Sequence, residues 1–256
     1  MNNLEFQLLG TGTSQGVPVI GCQCEVCSSE DARDKRLRSS LLIKSSKTTI
    51  LIDAGPDLRQ QLLRANVHDI NAIIITHEHQ DHTAGLDEVR AINFLQKHAI
   101  PIYCTERVEK RLREQYSYIF NNKDYPGIPQ IYFERLRDED LQIGDIRLQP
   151  LELKHFNIPV HGFRIGDFVY ITDANEMSAA VEAKIKGSTN MVINALRHKK
   201  HHSHFTLTEA ISIADRLDID QVYLTHISHQ MGKHADVEAT LKPGRNLAFD
   251  GLIIHS

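Results

Sequence analysis

Three histidines and an aspartate fall within the six residues His77-Glu78-His79-Gln80-Asp81-His82, directly after the apolar run Ala72-Ile73-Ile74-Ile75. A short β-branched run of this kind reads as a buried strand, so the polar cluster sits at a strand end. Imidazole nitrogen suits zinc, iron and manganese, and a carboxylate adds a hard anionic oxygen. Grouping four such side chains so tightly is costly unless a cation binds among them. In an extended or looping segment His77 and His79 point to the same side, while Asp81 and His82 turn toward a neighbouring position. The pattern predicts two adjacent metals, and it demands a fold that brings further ligands to this strand end.

Other β-branched and apolar runs predict strands over Phe6–Leu9, Leu41–Lys44, Thr49–Asp53, Ala72–Thr76, Ile146–Leu153, Phe163–Ile165, Phe168–Thr172, Met191–Asn194, Gln221–Thr225 and Leu252–His255. Amphipathic spacing predicts helices over Asp57–Ala65, Leu86–Gln96, Glu106–Glu114, Ala179–Lys186 and Thr208–Leu217. Helices between strands imply a layered α/β protein, and 256 residues suit one domain, 1–256, with no linker-like stretch. The candidate functional residues fall at strand ends rather than within helices, so one rim of the sheets is expected to collect them.

His155, Asp173 and His226 each follow a predicted strand and are the candidates to complete two coordination shells. His161 competes with His155. His155 is preferred because Pro159 and Gly162 look like the turn leading into the strand at Phe163. Cys22, Cys24 and Cys27 are packed more tightly than a disulfide framework in a chain of this size needs, which suits a shared metal. Cys104 is expected to be a buried strand residue. The glycine-rich stretch from Gly10 to Gly16 lacks the Lys-Ser/Thr of a P-loop, and its glycines are read as permitting tight turns beside the metals.

A formal net charge of −4 offers no basic field to attract nucleic acid or an anionic membrane. Glu5 near the N-terminus and the absence of a long apolar run point to a soluble, cytoplasmic protein. The basic, histidine-rich run Arg197–His204 reads as a solvated loop apart from His204.

The residues His77, His79, Asp81 and His82 match the His-x-His-x-Asp-His motif of the metallo-β-lactamase superfamily, which the chain resembles over nearly its whole length. That resemblance implies an αββα sandwich of two mixed β-sheets flanked by helices, with a dinuclear site at one sheet rim. It assigns His77, His79 and His155 to a first divalent metal, manganese or zinc, Asp81, His82 and His226 to a second, and Asp173 to a bridge shared with a water or hydroxide. Gly10 to Pro18, followed by Cys22, Cys24 and Cys27, further resembles the PhnP-type phosphodiesterases. There an N-terminal loop, here about residues 10–40, holds a structural zinc through three cysteines and a histidine matched by His229. His204 is placed like the histidine that assists catalysis in PhnP-like enzymes and in tRNase Z, which implies a general acid; Asp81, with Asp173, would orient the hydroxide.

The expected activity is metal-dependent hydrolysis of a small cyclic or linear phosphodiester, such as a cyclic ribose phosphate or cyclic nucleotide, with a homodimer the family-based expectation and neither a membrane nor a nucleic acid the expected partner. The alternatives are a tRNase Z-like nuclease, a thioesterase of the same fold and a non-catalytic PqqB-like binding protein. The first lacks its long basic arm here, the second a C-terminal helical domain after Leu252–His255, and the third would be expected to lose metal ligands. Substrate choice is expected to rest on the loops near Asn121–Ile131 and Lys154–Gly162.

Overall fold

The computed structural model describes residues 4–121 and 127–255. Its first half forms β1 (Glu5–Gly10), β2 (Ser40–Lys44), β3 (Thr49–Ile52), α1 (Leu58–Arg64), β4 (Ala72–Ile74), α2 (Gln80–Thr83), α3 (Val89–Gln96), β5 (Ile100–Cys104), α4 (Glu106–Gln115), α5 (Ser117–Asn121) and β6 (Ile131–Arg135). The second half adds β7 (Leu141–Ile143), β8 (Ile146–His155), β9 (Ile158–Ile165), β10 (Phe168–Ile171), α6 (Ala179–Ile185), β11 (Asn190–Asn194), α7 (Leu207–Arg216), β12 (Gln221–Thr225), α8 (His234–Glu238), β13 (Arg245–Leu247) and β14 (Ile253–His255).

The strands build two seven-stranded sheets, ordered β14-β1-β2-β3-β4-β5-β6 and β13-β12-β11-β10-β9-β8-β7. Each is mixed: β3 to β6 and β10 to β13 run parallel, and the remaining neighbours are antiparallel. Alternation along the strands explains why the sheets stack. Leu8, Leu41, Ile43, Ile50, Ile52 and Ile74 meet Leu148, Phe163, Phe168 and Val192 in a core between the sheets. Their neighbours Leu9, Leu42, Leu51 and Ile73 point the other way, to Leu58, Val89, Ile92, Val108 and Leu112 of the helices. A matching outer layer packs Val181, Ile185, Ala210, Ile213 and Val237 on the second sheet. With both faces covered, the strands read as continuous apolar runs. The αββα sandwich is therefore as expected.

Three differences from the sequence reading matter for the site. Pro159 and Gly162 lie inside β9, not in a turn before it, with Pro159 paired to Lys154 and Gly162 to Leu151. Asp81 and His82 lie on the one-turn helix α2, so not every candidate ligand is at a bare strand end. The strands β6, β7 and β13 were not anticipated, because three-residue runs and the charged end of Ile131–Arg135 carry no clear period. Of the Asn121–Ile131 wall, residues 122–126 lie outside the described residues. Among those described, no helix is long and apolar enough to cross a membrane.

Phe6 and Phe168 join the two sheets, with ring centroids 3.8 Å apart and both side chains fully buried. Truncation there leaves a cavity between layers that cannot close independently. Phe168→Ala is expected to cost about 3–5 kcal/mol, read as a lower denaturation midpoint in urea with an unchanged slope.

Candidate metal centre

The C-terminal ends of the parallel strands converge on one rim, the usual ligand-binding edge of open α/β sheets. Asp53 follows β3, His77 follows β4, Asp173 follows β10 and His226 follows β12; His155 closes β8. Asp53, Asp173 and His226 all have positive φ, 64°, 55° and 56°, which turns each side chain off its strand and into the rim. Asp and His tolerate this region better than most side chains. Close packing of α2 against the loop after β3 needs two glycines. A Cβ at Gly55 would lie 2.1 Å from the Asp81 carbonyl oxygen, and one at Gly85 would lie 2.0 Å from that of Gly55.

His77, His79 and His155 come together in one cluster, and Asp81, His82, Asp173 and His226 in a second. His155, Asp173 and His204 form a third grouping that links them. His161 joins none of these. It is buried within β9 opposite Glu152, with its backbone N–H donating to Thr76 O at 3.2 Å. The fold brings His155, and not His161, to the other candidates, and the turn used to argue for His155 is elsewhere, at Phe156 and Asn157.

The hydrogen bonds decide which ring nitrogen faces inward. His82 Nδ1 donates to Asp53 Oδ2 at 2.7 Å, and His155 Nδ1 donates to Ser203 O at 2.8 Å. The Thr76 hydroxyl donates to Asp53 and so accepts from His77 Nδ1 at 3.0 Å. Likewise the Ser39 hydroxyl donates to Gly12 O and accepts from His226 Nδ1 at 3.0 Å. In all four rings Nε2 is directed into the site, that of His226 with the Thr13 hydroxyl 3.3 Å away, and a fixed Nδ1 partner is what sets tautomer and orientation in metal-binding histidines.

Each inner nitrogen faces another polar atom at close range. His82 Nε2 is buried without a hydrogen-bond partner, yet it faces Asp81 Oδ2 at 3.2 Å and Asp173 Oδ2 at 3.1 Å. His226 Nε2 lies 3.1 Å from Asp173 Oδ1, and His77 Nε2 lies 3.0 Å from His79 Nδ1. Unprotonated acceptors facing one another at this range are repulsive, and either a proton or a cation between them relieves it. Bonds of about 2.0–2.2 Å from one ion give edges of this size. The donor set, nitrogen and carboxylate oxygen, fits a divalent metal in each cluster.

The electrostatics agree. Burial opposes charge on His82, but the carboxylates of Asp173, Asp81 and Asp53 outweigh it and hold its pKa well above the usual value. Burial alone would raise Asp173, yet His226 and His82 keep it well below the ordinary carboxylate range. His226 is pushed down to about 3, first by burial, and His77 is lowered for the same reason. Positive charge is thus favoured at His82, beside three carboxylates, and disfavoured at His77 and His226.

A separate cluster lies in the N-terminal loop. His229 Nδ1 is 3.4 Å from Cys22 Sγ, 3.4 Å from Cys24 Sγ and 3.5 Å from Cys27 Sγ. A tetrahedral zinc with ordinary bonds to sulfur and nitrogen gives an edge of roughly 3.5 Å, so the four residues fit it. The Cys24 thiol is lowered to about 6, chiefly by the Cys27 backbone N–H, whereas burial raises Cys27 to about 11. The loop is strapped to the strand end that carries His226, through Ile227 N donating to Thr11 O at 2.8 Å and Thr13 N to Ile227 O at 3.1 Å.

His204 Nε2 lies 3.2 Å from Asp173 Oδ1, and its ring stacks on His226 at 4.9 Å between centroids. It also lines a cavity of about 240 Å³ with Thr13, Gln15, Arg197, His201 and His229. The neighbouring histidines differ in place. His201 Nδ1 is 3.1 Å from His204 Nδ1, His198 bonds Met231 O, and His202 is exposed.

Sequence reasoning missed Asp53. It is fully buried and receives three hydrogen-bond donors, His82 Nδ1 and the amide and hydroxyl of Thr76. An acidic residue ending a strand 24 residues before the motif was the only signal, and many strands end so. Asp53→Ala should lower affinity for the metal bound by His82 about 10- to 100-fold, measured by competition with a chelating dye; an unchanged affinity would remove Asp53 from the site.

Comparison with known proteins places this geometry. The profile of the Beta-lactamase superfamily domain matches residues 48–227. A crystal structure described as a new diphosphatase from the PhnP family superposes with a TM-score of 0.93 at 36% identity, covering 99% of this chain and 97% of that one. Zinc-bound PqqB from Methylobacterium extorquens shares the fold, with a TM-score of 0.77 at 20% identity over 98% of this chain and 99% of that one. In sequence, a Porphyromonas gingivalis protein named octanoyltransferase is 38% identical over 248 residues, 96% of this chain; the chain spans only 50% of that protein's length. The chain belongs to the β-lactamase superfamily, with the metallo-β-lactamase fold and a PhnP-family likeness over nearly its whole length.

Proposed function

We propose that the protein hydrolyses a small phosphodiester, with His77, His79 and His155 holding one divalent cation, manganese or zinc, Asp81, His82 and His226 a second, and Asp173 shared between them. A bound metal pair supplies Lewis acidity, lowering the pKa of water and neutralising charge that develops on a phosphoryl oxygen. The chain's own residues do the rest. Asp81 and Asp173 offset part of the cationic charge. Burial of His77, His82 and His226 keeps competing water out of the ligand sphere.

The observation that carries the reading is His204. Its Nε2 sits 3.2 Å from Asp173, at the junction of the two clusters and on the wall of the cavity. Ser203 Oγ at 3.0 Å and His201 at 3.1 Å fix the opposite side of the ring. A proton donor held there suits a reaction whose leaving group is a poor one, as an alkoxide is, and general acid catalysis of that step is typically worth about 10²–10⁴-fold. A thiolate leaving group needs no such help. Cys22, Cys24, Cys27 and His229 are assigned to a structural zinc, a closed tetrahedral site with no open position.

A second reading has one specific support, the 36% identity to a PhnP-family protein described as a diphosphatase. A diphosphate expels phosphate, which leaves without protonation, so the two readings separate at His204. His204→Ala should keep its metals and lose about 10²–10⁴-fold in kcat on an alkyl phosphodiester, with a much smaller loss on p-nitrophenyl or diphosphate substrates. An equal loss on all three would sink the general-acid role. Hydrolysis of diphosphates alone would favour the second reading, and an octanoyl thioester and pre-tRNA complete the panel.

Metal counting tests the ligand assignments independently. Elemental analysis should find three metals per chain, two removed readily by chelator, and Cys24→Ser should lose only the third. Two metals in the wild type, with all three loop cysteines titratable in the native protein, would contradict the zinc assignment.

A further inference from the structure

The turn between β8 and β9 consists of Phe156 and Asn157, and Phe156 has a φ of 55°. In a two-residue hairpin loop, positive φ at the first position is normally left to glycine. For a bulky residue it is an outlier, and such strain gathers at ligand clamps and active sites. Phe156 also stands directly after the candidate ligand His155.

The strained ring is not buried in compensation. Phe156 is 55% exposed and belongs to none of the hydrophobic clusters. Its backbone is nevertheless held firmly, because Asn175 Oδ1 accepts from Phe156 N at 2.7 Å while Asn175 Nδ2 donates to His202 O at 3.1 Å. Asn175 is two residues from Asp173, so the clamp is tied to the metal rim. The ring lies nearly perpendicular to His202 at 5.3 Å between centroids, and His202, His201 and His204 follow at centroid spacings of 4.3 and 5.1 Å. The exposed Phe94, Leu63 and Leu95 have no such restraint and lie on ordinary helices.

We propose that Phe156 is a stacking platform for a nucleobase, so that the substrate is a nucleotide whose phosphoryl group lies at the His/Asp clusters while its base lies on this ring. The proposal rests on the phosphoryl-hydrolase reading above and narrows its substrate. A pre-fixed aromatic face pays for stacking in the fold rather than on binding. Its surroundings are polar, with His202 and the exposed Lys154–Glu176 ion pair beside it, which suits a base edge and not an acyl chain.

The chain contains no tryptophan, so Phe156→Trp installs a single tryptophan, excited selectively over the seven tyrosines at the red edge of its absorption. Titrating the metal-loaded variant with adenosine 5′-monophosphate should quench it saturably, and ribose 5-phosphate should not. No quenching, or equal quenching by both, overturns the platform. This readout needs no turnover, so it survives failure of the phosphodiester reading. In turnover, the preference of the wild type for adenosine 2′,3′-cyclic phosphate over ribose 2,3-cyclic phosphate, as a ratio of kcat/KM, should fall about 10- to 100-fold in Phe156→Ala. The loss should lie in KM, and Phe156→Tyr should restore the ratio. A proportionate loss on both substrates overturns the proposal, while hydrolysis of neither by the wild type counts against the phosphodiester reading alone. Phe156→Gly should raise the melting temperature by relieving the left-handed strain; a marked fall would make the ring structural and overturn the platform.

Discussion

Lone pairs that face one another across a buried rim are the constraint on which the rest of this structure depends. His82 Nε2 approaches Asp81 and Asp173 within 3.2 Å, and His226 and His77 make comparably close approaches to Asp173 and His79. Without a cation such a set would spread apart or take up protons. The protein resists spreading by anchoring the outward nitrogen of each buried ring to a fixed acceptor: Asp53, Thr76, Ser39 or the Ser203 carbonyl. Those acceptors lie on different strands and loops, so the site is rigid only because the two sheets are.

The same rim concentrates the unusual backbone. Asp53, Asp173 and His226 occupy the left-handed region, and Gly55 and Gly85 allow backbone approaches that no side chain would permit. For the two aspartates and the histidine the conformation is tolerable and useful, since it swings a ligand or its anchor off the end of a strand. Phe156 has the same φ without the same tolerance. Its strain is held by Asn175 and not relieved by packing, which sets it apart from the exposed apolar residues of the helices.

Legibility in the sequence followed the range of the interaction. The cluster His77 to His82 could be read because its members are adjacent, and Cys22 to Cys27 for the same reason. The five main helices and most strands were visible as periodic or β-branched runs. The one-turn helix α2 was not, because four residues hold no period. Asp53 escaped because its partner His82 is 29 residues away and nothing local marks it. His155 and His161 could be ranked only by an argument about a turn, and the turn lay elsewhere; strand pairing in β8 and β9 is what sends one to the rim and the other to Glu152.

The sequence by itself determined the donor chemistry on offer: nitrogen and carboxylate groups in one cluster, cysteine sulfurs in another, and strands apolar enough to be covered on both faces. Only the tertiary structure decided that His155 and not His161 reaches the rim, which ring nitrogen faces inward, and that Phe156 stands clamped and open beside His155. Residue types fix what a group can bind. Orientation is set by hydrogen bonds and strand pairings between residues tens to hundreds of positions apart, such as Ser39 with His226 at 187 and Thr76 with His161 through their backbones, and no local pattern encodes those.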